Sequence, residues 1–131
     1  MEIVRRIFHA IDDSDWASVL ATYDEDVEWD LSNSPFRNVL PKHIVRGRDG
    51  LRAFFRERRE TWKSIRDECA DLIDAGDRVI SEVVTHGRGR ASEIEAEMKH
   101  YGVWTIRDGK VIRVEWFRQR AEALEAAGLS E

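Results

Sequence analysis

Two side chains have the types and neighbours that acid–base chemistry on carbon requires: Asp30, between Trp29 and Leu31, and His100, between Lys99 and Tyr101. A carboxylate desolvated against an indole has a raised pKa and can take a proton from carbon near neutral pH. A neutral imidazole can move a proton or donate to a developing enolate. Asp30 is therefore the candidate general base and His100 its partner. Each also has a plainer reading. Strict strand alternation puts Asp30 on the face opposite Trp29, as an exposed strand end. An inward His100 could be a hydrogen-bonded core histidine. Tyr23 could offer a hydroxyl at the mouth of a pocket or simply pack a helix. His43 lies on a long loop and could enter when that loop closes, and the direction of His86 is undetermined.

Trp29, Phe54, Phe55, Trp104 and Trp116 would line an apolar chamber, and with Tyr23 they are the candidate substrate-binding residues. Five tryptophans in 131 residues is a high count, and an aromatic box suits a flat polycyclic or aromatic ligand. Other chemistries lack their residues. The four histidines are isolated, with no His-x-x-x-His pair, so no metal site is expected. No glycine pattern after a strand suggests a dinucleotide or phosphate loop. Cys69, the single cysteine, has no base near it in sequence. Any chemistry should be free of cofactors.

The elements that must position these residues follow from periodicity. Ile3, Val4, Ile7, Phe8 and Ile11 fall on one helical face. Ser14 or Asp13 can cap a second helix with Trp16, Val19, Leu20 and Tyr23 as its apolar face. Val27, Trp29 and Leu31 alternate with Glu28 and Asp30, the period of a strand. Residues 32–48 show no period and hold both prolines, Pro35 and Pro41. A loop of this length is a floppy connection or a cover over something. Asp49 then caps a third helix with Leu51, Phe54, Phe55 and Trp62 inward. Strands are expected over 65–73, 79–86, 93–106 and 110–118, and a closing helix over 120–127 stops at Gly128. Segregated helices and a hairpin-linked antiparallel sheet mean an α+β fold. One sheet with one helical layer must curl around the helices to bury its face.

The last hairpin, Trp104 to Trp116, decides which side chains share a face. A two-residue Asp108-Gly109 turn would set Trp104 opposite Arg113, and a three-residue Arg107-Asp108-Gly109 loop would set it opposite Ile112. The second is expected, because it gathers Met98, His100, Gly102, Trp104, Ile106, Ile112, Val114 and Trp116 on one face. The first would bury Arg113 and Glu115 beside Trp104 without partners. Gly102 on that inner face leaves space or marks a bulge.

Composition bounds the rest. Hydrophobic residues make up 42% of the chain and charged residues 36%, and the net charge is −5. The length and the lack of a linker or repeat suggest a single domain over residues 1–131. The acidic balance and the lack of a basic patch argue against nucleic acid as a partner. Gly87-Arg88-Gly89-Arg90 is the only basic candidate and reads as a loop between strands. A lone thiol, an early charged N-terminus and the lack of a long apolar run suggest a cytoplasmic protein without a membrane span.

The order of elements resembles the SnoaL-like branch of the nuclear transport factor-like, or ketosteroid isomerase-like, superfamily. The carriers are FHAIDDSDWASVLATYDEDVEWD, GRDGLRAFF, DLIDAGDRVISEVVTHGRGR and GVWTIRDGKVIRVEWFRQRAEALEAAGL, nearly the whole chain. The resemblance implies a cone-shaped curved antiparallel sheet wrapped around three N-terminal helices, enclosing an apolar pocket. Such proteins include steroid isomerases, polyketide cyclases, dehydratases, epoxide hydrolases and non-catalytic binding domains, and homodimers through the outer sheet face are common. The steroid isomerase machinery carries over only in part. By equal spacing its strand carboxylate falls on Leu31, its helix tyrosine on Ile7 and its second oxyanion donor near Gly102. What remains is a generic acid–base pair, Asp30 and His100. The resemblance thus implies a cofactor-independent isomerase, cyclase or dehydratase acting on a small apolar carbonyl or polycyclic substrate. The alternatives are a non-catalytic binder of a small apolar ligand, and a dimerisation domain with a filled interior whose outer face carries Tyr101, Val103 and Phe117.

Overall fold

A computed structural model describes residues 1–40, 42–89 and 95–129. Helix α1 (Glu2–Asp12) buries Val4, Ile7 and Phe8, one stripe at helical spacing. Ser14 turns the chain with φ of 56°, so the cap of α2 (Trp16–Ala21) is Asp15, whose carboxylate accepts from the Ser18 N–H, rather than Ser14 or Asp13. Tyr23 opens strand β1 (Tyr23–Asn33) instead of extending α2. The long connection carries regular structure that the sequence did not signal. It holds a short 3-10 turn (Arg37–Val39) and a three-residue strand, β2 (Ile44–Arg46), that pairs antiparallel with β1. Helix α3 (Gly47–Thr61) starts two residues before Asp49, which lies in its first turn. Then come β3 (Trp62–Ala75), β4 (Arg78–Gly89), β5 (Glu95–Arg107), β6 (Lys110–Phe117) and α4 (Arg120–Ala126). Gly87, Arg88 and Gly89 belong to β4. Arg90 and the expected strand start at Glu93 lie outside the described residues.

The six strands form one sheet in the order β2-β1-β6-β5-β4-β3. It is mostly antiparallel, with one departure from expectation: β1 runs parallel to β6, Trp29 opposite Val114 and Asp30 opposite Glu115. Register shifts in β1, in β3 and between β5 and β6 bend the strands. The inner face packs on α1, α2 and α3 around Val4, Ile7, Val19, Tyr23, Val27, Leu51, Trp104 and Val114. A second cluster, Ile80, Tyr101, Val103, Phe117, Ala123 and Leu124, lies on the outer face beneath α4. Tyr101, Val103 and Phe117 are thus buried within the monomer, which corrects their assignment to a dimer interface. The rest of the outer face is ionic, with Arg113 paired to Glu28, Asp30 and Glu115 and Lys99 paired to Glu82.

The β5–β6 hairpin corrects the register argument and changes the expected inner face at one position. Its loop is the two-residue Asp108-Gly109 turn, with φ of 52° and 76°, the left-handed pair whose twist matches the flanking strands. A bulge follows immediately. Ile106 faces Val111, Thr105 faces Arg113, and Trp104 faces Val114 rather than Ile112 or Arg113. The extra residue restores Trp104, Val114 and Trp116 to the inner face and leaves Arg113 and Glu115 outside. Val111, fully buried, takes the core position expected for Ile112.

Gly102 leaves no void. A Cβ there would stand 2.8 Å from the Trp116 ring, 2.9 Å from Trp104 Nε1 and 3.0 Å from Ser81 Oγ. The missing side chain lets the two indoles close over the strand. Gly102→Ala should therefore lower unfolding stability by ~1–3 kcal/mol, the range for overpacking a filled core. Urea unfolding followed by tryptophan emission reads this, and an unchanged midpoint would show that the indoles have room to move.

Candidate functional site: an aromatic cavity with a buried polar relay

Between α3, the 34–45 segment and the inner sheet face lies a cavity of about 920 Å³. Tyr23, Trp29, Phe54, Phe55, Trp104, Trp116 and His100 all line it. Alternation along β1 sends Trp29 and Leu31 inward, and along β5 and β6 it sends His100, Trp104, Val114 and Trp116 inward. Trp29 is the hub of the aromatic wall, its ring centroid 5.3 Å from that of Trp116, 5.5 Å from Phe55 and 5.7 Å from Phe54. Tyr23 is fully buried on the inner wall, stacked on Trp104, and not at a mouth. Burial pushes its phenol pKa far above the ordinary value. The long connection contributes Ser34, Phe36, Leu40, Lys42, Ile44 and Val45 to the lining. His43 is exposed, its Nε2 2.9 Å from the Arg37 carbonyl oxygen. His86 is on the outer face between Glu68 and Glu97.

Asp30 is not in this cavity. It sits on the outer sheet face, 3.2 Å from the Arg113 guanidinium, and accepts the Ser32 N–H at 2.9 Å. Partial burial raises its pKa, but the hydrogen bonds from Ser32 and the charge of Arg113 outweigh that and hold it below the ordinary value. A general base needs the reverse, so the desolvated carboxylate expected beside Trp29 is corrected: strand alternation prevails.

A different carboxylate reaches His100. Arg58, in the last turn of α3, holds Asp67 of β3 through two parallel hydrogen bonds of 2.7 and 2.6 Å. The Thr85 hydroxyl is 2.7 Å from Asp67 Oδ1 and 2.7 Å from His100 Nε2. Both Arg58 and Asp67 are largely buried, with side-chain exposures of 19% and 12%. Burial pushes the Asp67 carboxyl up, and Arg58 with the Thr85 hydrogen bond overcomes it, so its pKa lies below the ordinary value.

The hydrogens in this relay can be deduced. An ionised carboxylate only accepts, so the Thr85 hydroxyl donates to Asp67. Its oxygen then accepts from His100, which must carry its proton on Nε2. Nδ1 is left as a bare acceptor, buried and without a partner. Burial lowers the His100 pKa to about 4 against the pull of Asp67, so the imidazole is neutral. The expected role of His100 as a donor to an enolate is therefore replaced by that of an acceptor. Trp116 Nε1 is likewise buried without a partner, whereas the Trp29 indole N–H is directed at the Tyr23 hydroxyl. Trp104 Nε1 donates to Ser81 Oγ at 2.9 Å.

Sequence reasoning missed Arg58, Asp67 and Thr85. Asp67 stood inside the charged run Arg66-Asp67-Glu68, where only its alternation with Ile65 and Cys69 marked the inner face. Cys69 is half-buried with its thiol pKa raised to about 11, chiefly by burial, which suits a structural residue. Among the described residues no three His, Cys, Asp or Glu side chains converge to hold a metal ion, and no helix is long and apolar enough to cross a membrane.

A curved sheet around three helices with an aromatic cavity defines a class, and comparison with known proteins agrees. The SnoaL-like domain family matches residues 4–114, and the chain belongs to that family, with the nuclear transport factor-like, ketosteroid isomerase-like fold. An NTF2-like protein from Burkholderia thailandensis E264 is 27% identical, with 94% of this chain and 95% of that one aligned at a TM-score of 0.78. TerC, co-crystallised with polyporic acid, is 21% identical over 97% and 96% of the two chains, with a TM-score of 0.78. A Mycobacterium tuberculosis protein in complex with estradiol-17beta-hemisuccinate is 14% identical over 90% and 92%, with a TM-score of 0.73. No curated protein sequence matches the chain.

The His100 environment predicts a pH signature. In the unfolded chain its pKa is the ordinary 6.5, and in the folded protein it is about 4. A lowered folded pKa means that the full stability is present above pH 6.5 and is lost as pH falls toward 4. At ~1.4 kcal/mol per tenfold in proton affinity, the loss is about 3 kcal/mol. Chemical denaturation across this window should show that slope, and His100→Gln should flatten it. An equal slope in the variant would place the titration elsewhere.

Proposed function

We propose that the protein binds a small, flat, mostly apolar carbonyl or polycyclic molecule in the aromatic cavity and moves a proton on it through His100. It would act as a cofactor-independent isomerase, cyclase or dehydratase. The observation that carries this reading is the relay from Arg58 through Asp67 and Thr85, ending at an unpartnered His100 nitrogen. A core histidine kept for packing alone gains nothing from a bare buried nitrogen, which costs about 1–3 kcal/mol. The wall residues Trp29, Phe54, Phe55, Trp104, Trp116 and Tyr23 would hold the rings, and His100 would be the catalytic residue. Thr85, Asp67 and Arg58 would position it. Ligands bound to relatives, polyporic acid and an estradiol derivative, support a small-molecule cavity.

One observation favours a second reading, a binder without turnover. An imidazole with a pKa of about 4 is a weak base, and the carboxylate expected to work with it, Asp30, is on the outer sheet face. Proton NMR with a panel of aryl and polycyclic ketones in deuterated buffer separates the two. Catalysis predicts α-proton exchange with the protein and roughly a hundredfold less with His100→Ala, within the range for loss of an acid–base group, while binding persists. Saturable binding without exchange would establish the second reading. No binding by any ketone or phenol would overturn both. A homodimer through the ionic remainder of the outer face is proposed from the resemblance alone, and sedimentation of the pure protein tests it.

A further inference from the structure

The polarity of the buried relay reaches beyond proton transfer to the choice of ligand. We infer that the cavity selects a planar aromatic or enolic molecule bearing a hydroxyl group, which donates to His100 Nδ1, over the same molecule carrying only acceptor oxygens. This rests on the small-molecule reading of the cavity above.

The direction of every hydrogen bond in the relay is set at its far end. The Arg58 guanidinium only donates, and it takes both Asp67 oxygens. Asp67 is thus ionised and takes the Thr85 hydrogen. Thr85 has one hydrogen, so toward His100 it can only accept. The imidazole must present its other nitrogen as an acceptor. A carbonyl or ether oxygen placed there meets a lone pair and is repelled, whereas a phenol or enol O–H is matched. A site built around one hydrogen-bond polarity discriminates strongly against the ligand that lacks the complementary group.

The neighbouring rings fit such a ligand. His100 lies beside Trp116, ring centroids 4.9 Å apart, and Trp116 beside Trp29 at 5.3 Å. The Trp116 indole nitrogen is a donor without a partner, so an acceptor oxygen on the ligand belongs on that side and its hydroxyl belongs at His100. The Phe36 ring stands edge-on to the imidazole at 5.6 Å. Nδ1 is buried in the free protein, so the hydroxyl reaches it as the neighbouring side chains give way.

The test compares 2-naphthol, 2-methoxynaphthalene and 2-acetylnaphthalene by titration calorimetry. The ring nitrogens of His100 are followed by ¹⁵N NMR. In the unsubstituted protein Nδ1 should resonate as an unprotonated nitrogen, and the naphthol should bind about tenfold or more tighter than its methyl ether. His100→Phe should erase that gap while keeping aromatic binding. Thr85→Val removes the acceptor at Nε2 and frees the imidazole to carry its proton on Nδ1, so the acetyl compound should gain relative to the naphthol. Equal affinity for naphthol and ether would overturn the inference and leave the cavity reading standing, as would a proton on Nδ1 in the unsubstituted protein. No binding of any of the three would overturn the cavity reading and this inference with it.

Discussion

The bidentate pair between Arg58 and Asp67 is the contact on which the interior depends. It fastens the last turn of α3 to β3 and keeps a charge within a largely apolar wall. Burying two charges is expensive, and such a pair adds little net stability compared with apolar residues of the same volume. Its effect is to impose direction. Because the carboxylate is held ionised, Thr85 and then His100 have only one way to arrange their hydrogens. The character of His100 Nδ1 is therefore decided by a guanidinium that two residues, Asp67 and Thr85, separate from it along the relay. Breaking the pair from one side would leave a buried charge alone, costing about 3–5 kcal/mol, and would release the orientation of the imidazole as well.

The aromatic residues serve two ends at once. Trp29, Trp104 and Trp116 are each at least nine-tenths buried and belong to the main hydrophobic core, yet each also borders the cavity. Their edge-to-face contacts hold the rings in fixed relative orientations. Gly102 allows Trp104 and Trp116 to approach each other over the strand, and Ser81 satisfies the one indole that lies deepest. Wall and core are one material, so reshaping the cavity means repacking the core.

Much of this was legible in the sequence, for identifiable reasons. Period 3.6 marked Val4, Ile7 and Phe8, and period 2 marked Trp29, Trp104 and Trp116, because burial on one face leaves a local pattern. The three-residue strand at Ile44 was too short to leave any period. The turn at Asp108-Gly109 was read one residue too long, because a bulge next to it sends Trp104, Val114 and Trp116 to the same face as a longer loop would. The parallel pairing of β1 with β6 joins residues over 80 positions apart and has no local signature. The relay escaped for the same reason: Arg58, Asp67, Thr85 and His100 sit on four different elements, and nothing in their spacing announces that they meet. Asp30 shows the converse. Simple alternation placed it outside, and the appeal of a carboxylate beside a tryptophan did not override that geometry.

The parallel β1–β6 contact also bears on how the chain comes to be folded. The strand carrying Trp29 is finished near the start of the chain, but its partner strand ends at Phe117. On a ribosome, chain emerges from the N-terminal end first. One long edge of β1 therefore stays open until β6, more than 80 residues further on, has been made, and an unpaired strand edge is a site for wrong association. The carboxylates Asp24, Glu25, Asp26, Glu28 and Asp30 give that strand a high density of negative charge, which opposes such association. Closure of the loop between these strands is entropically slow and belongs to the late stages of assembly. The cavity, whose sheet wall takes Trp29 from one of those strands and Trp116 from the other, is complete only once β6 has joined β1.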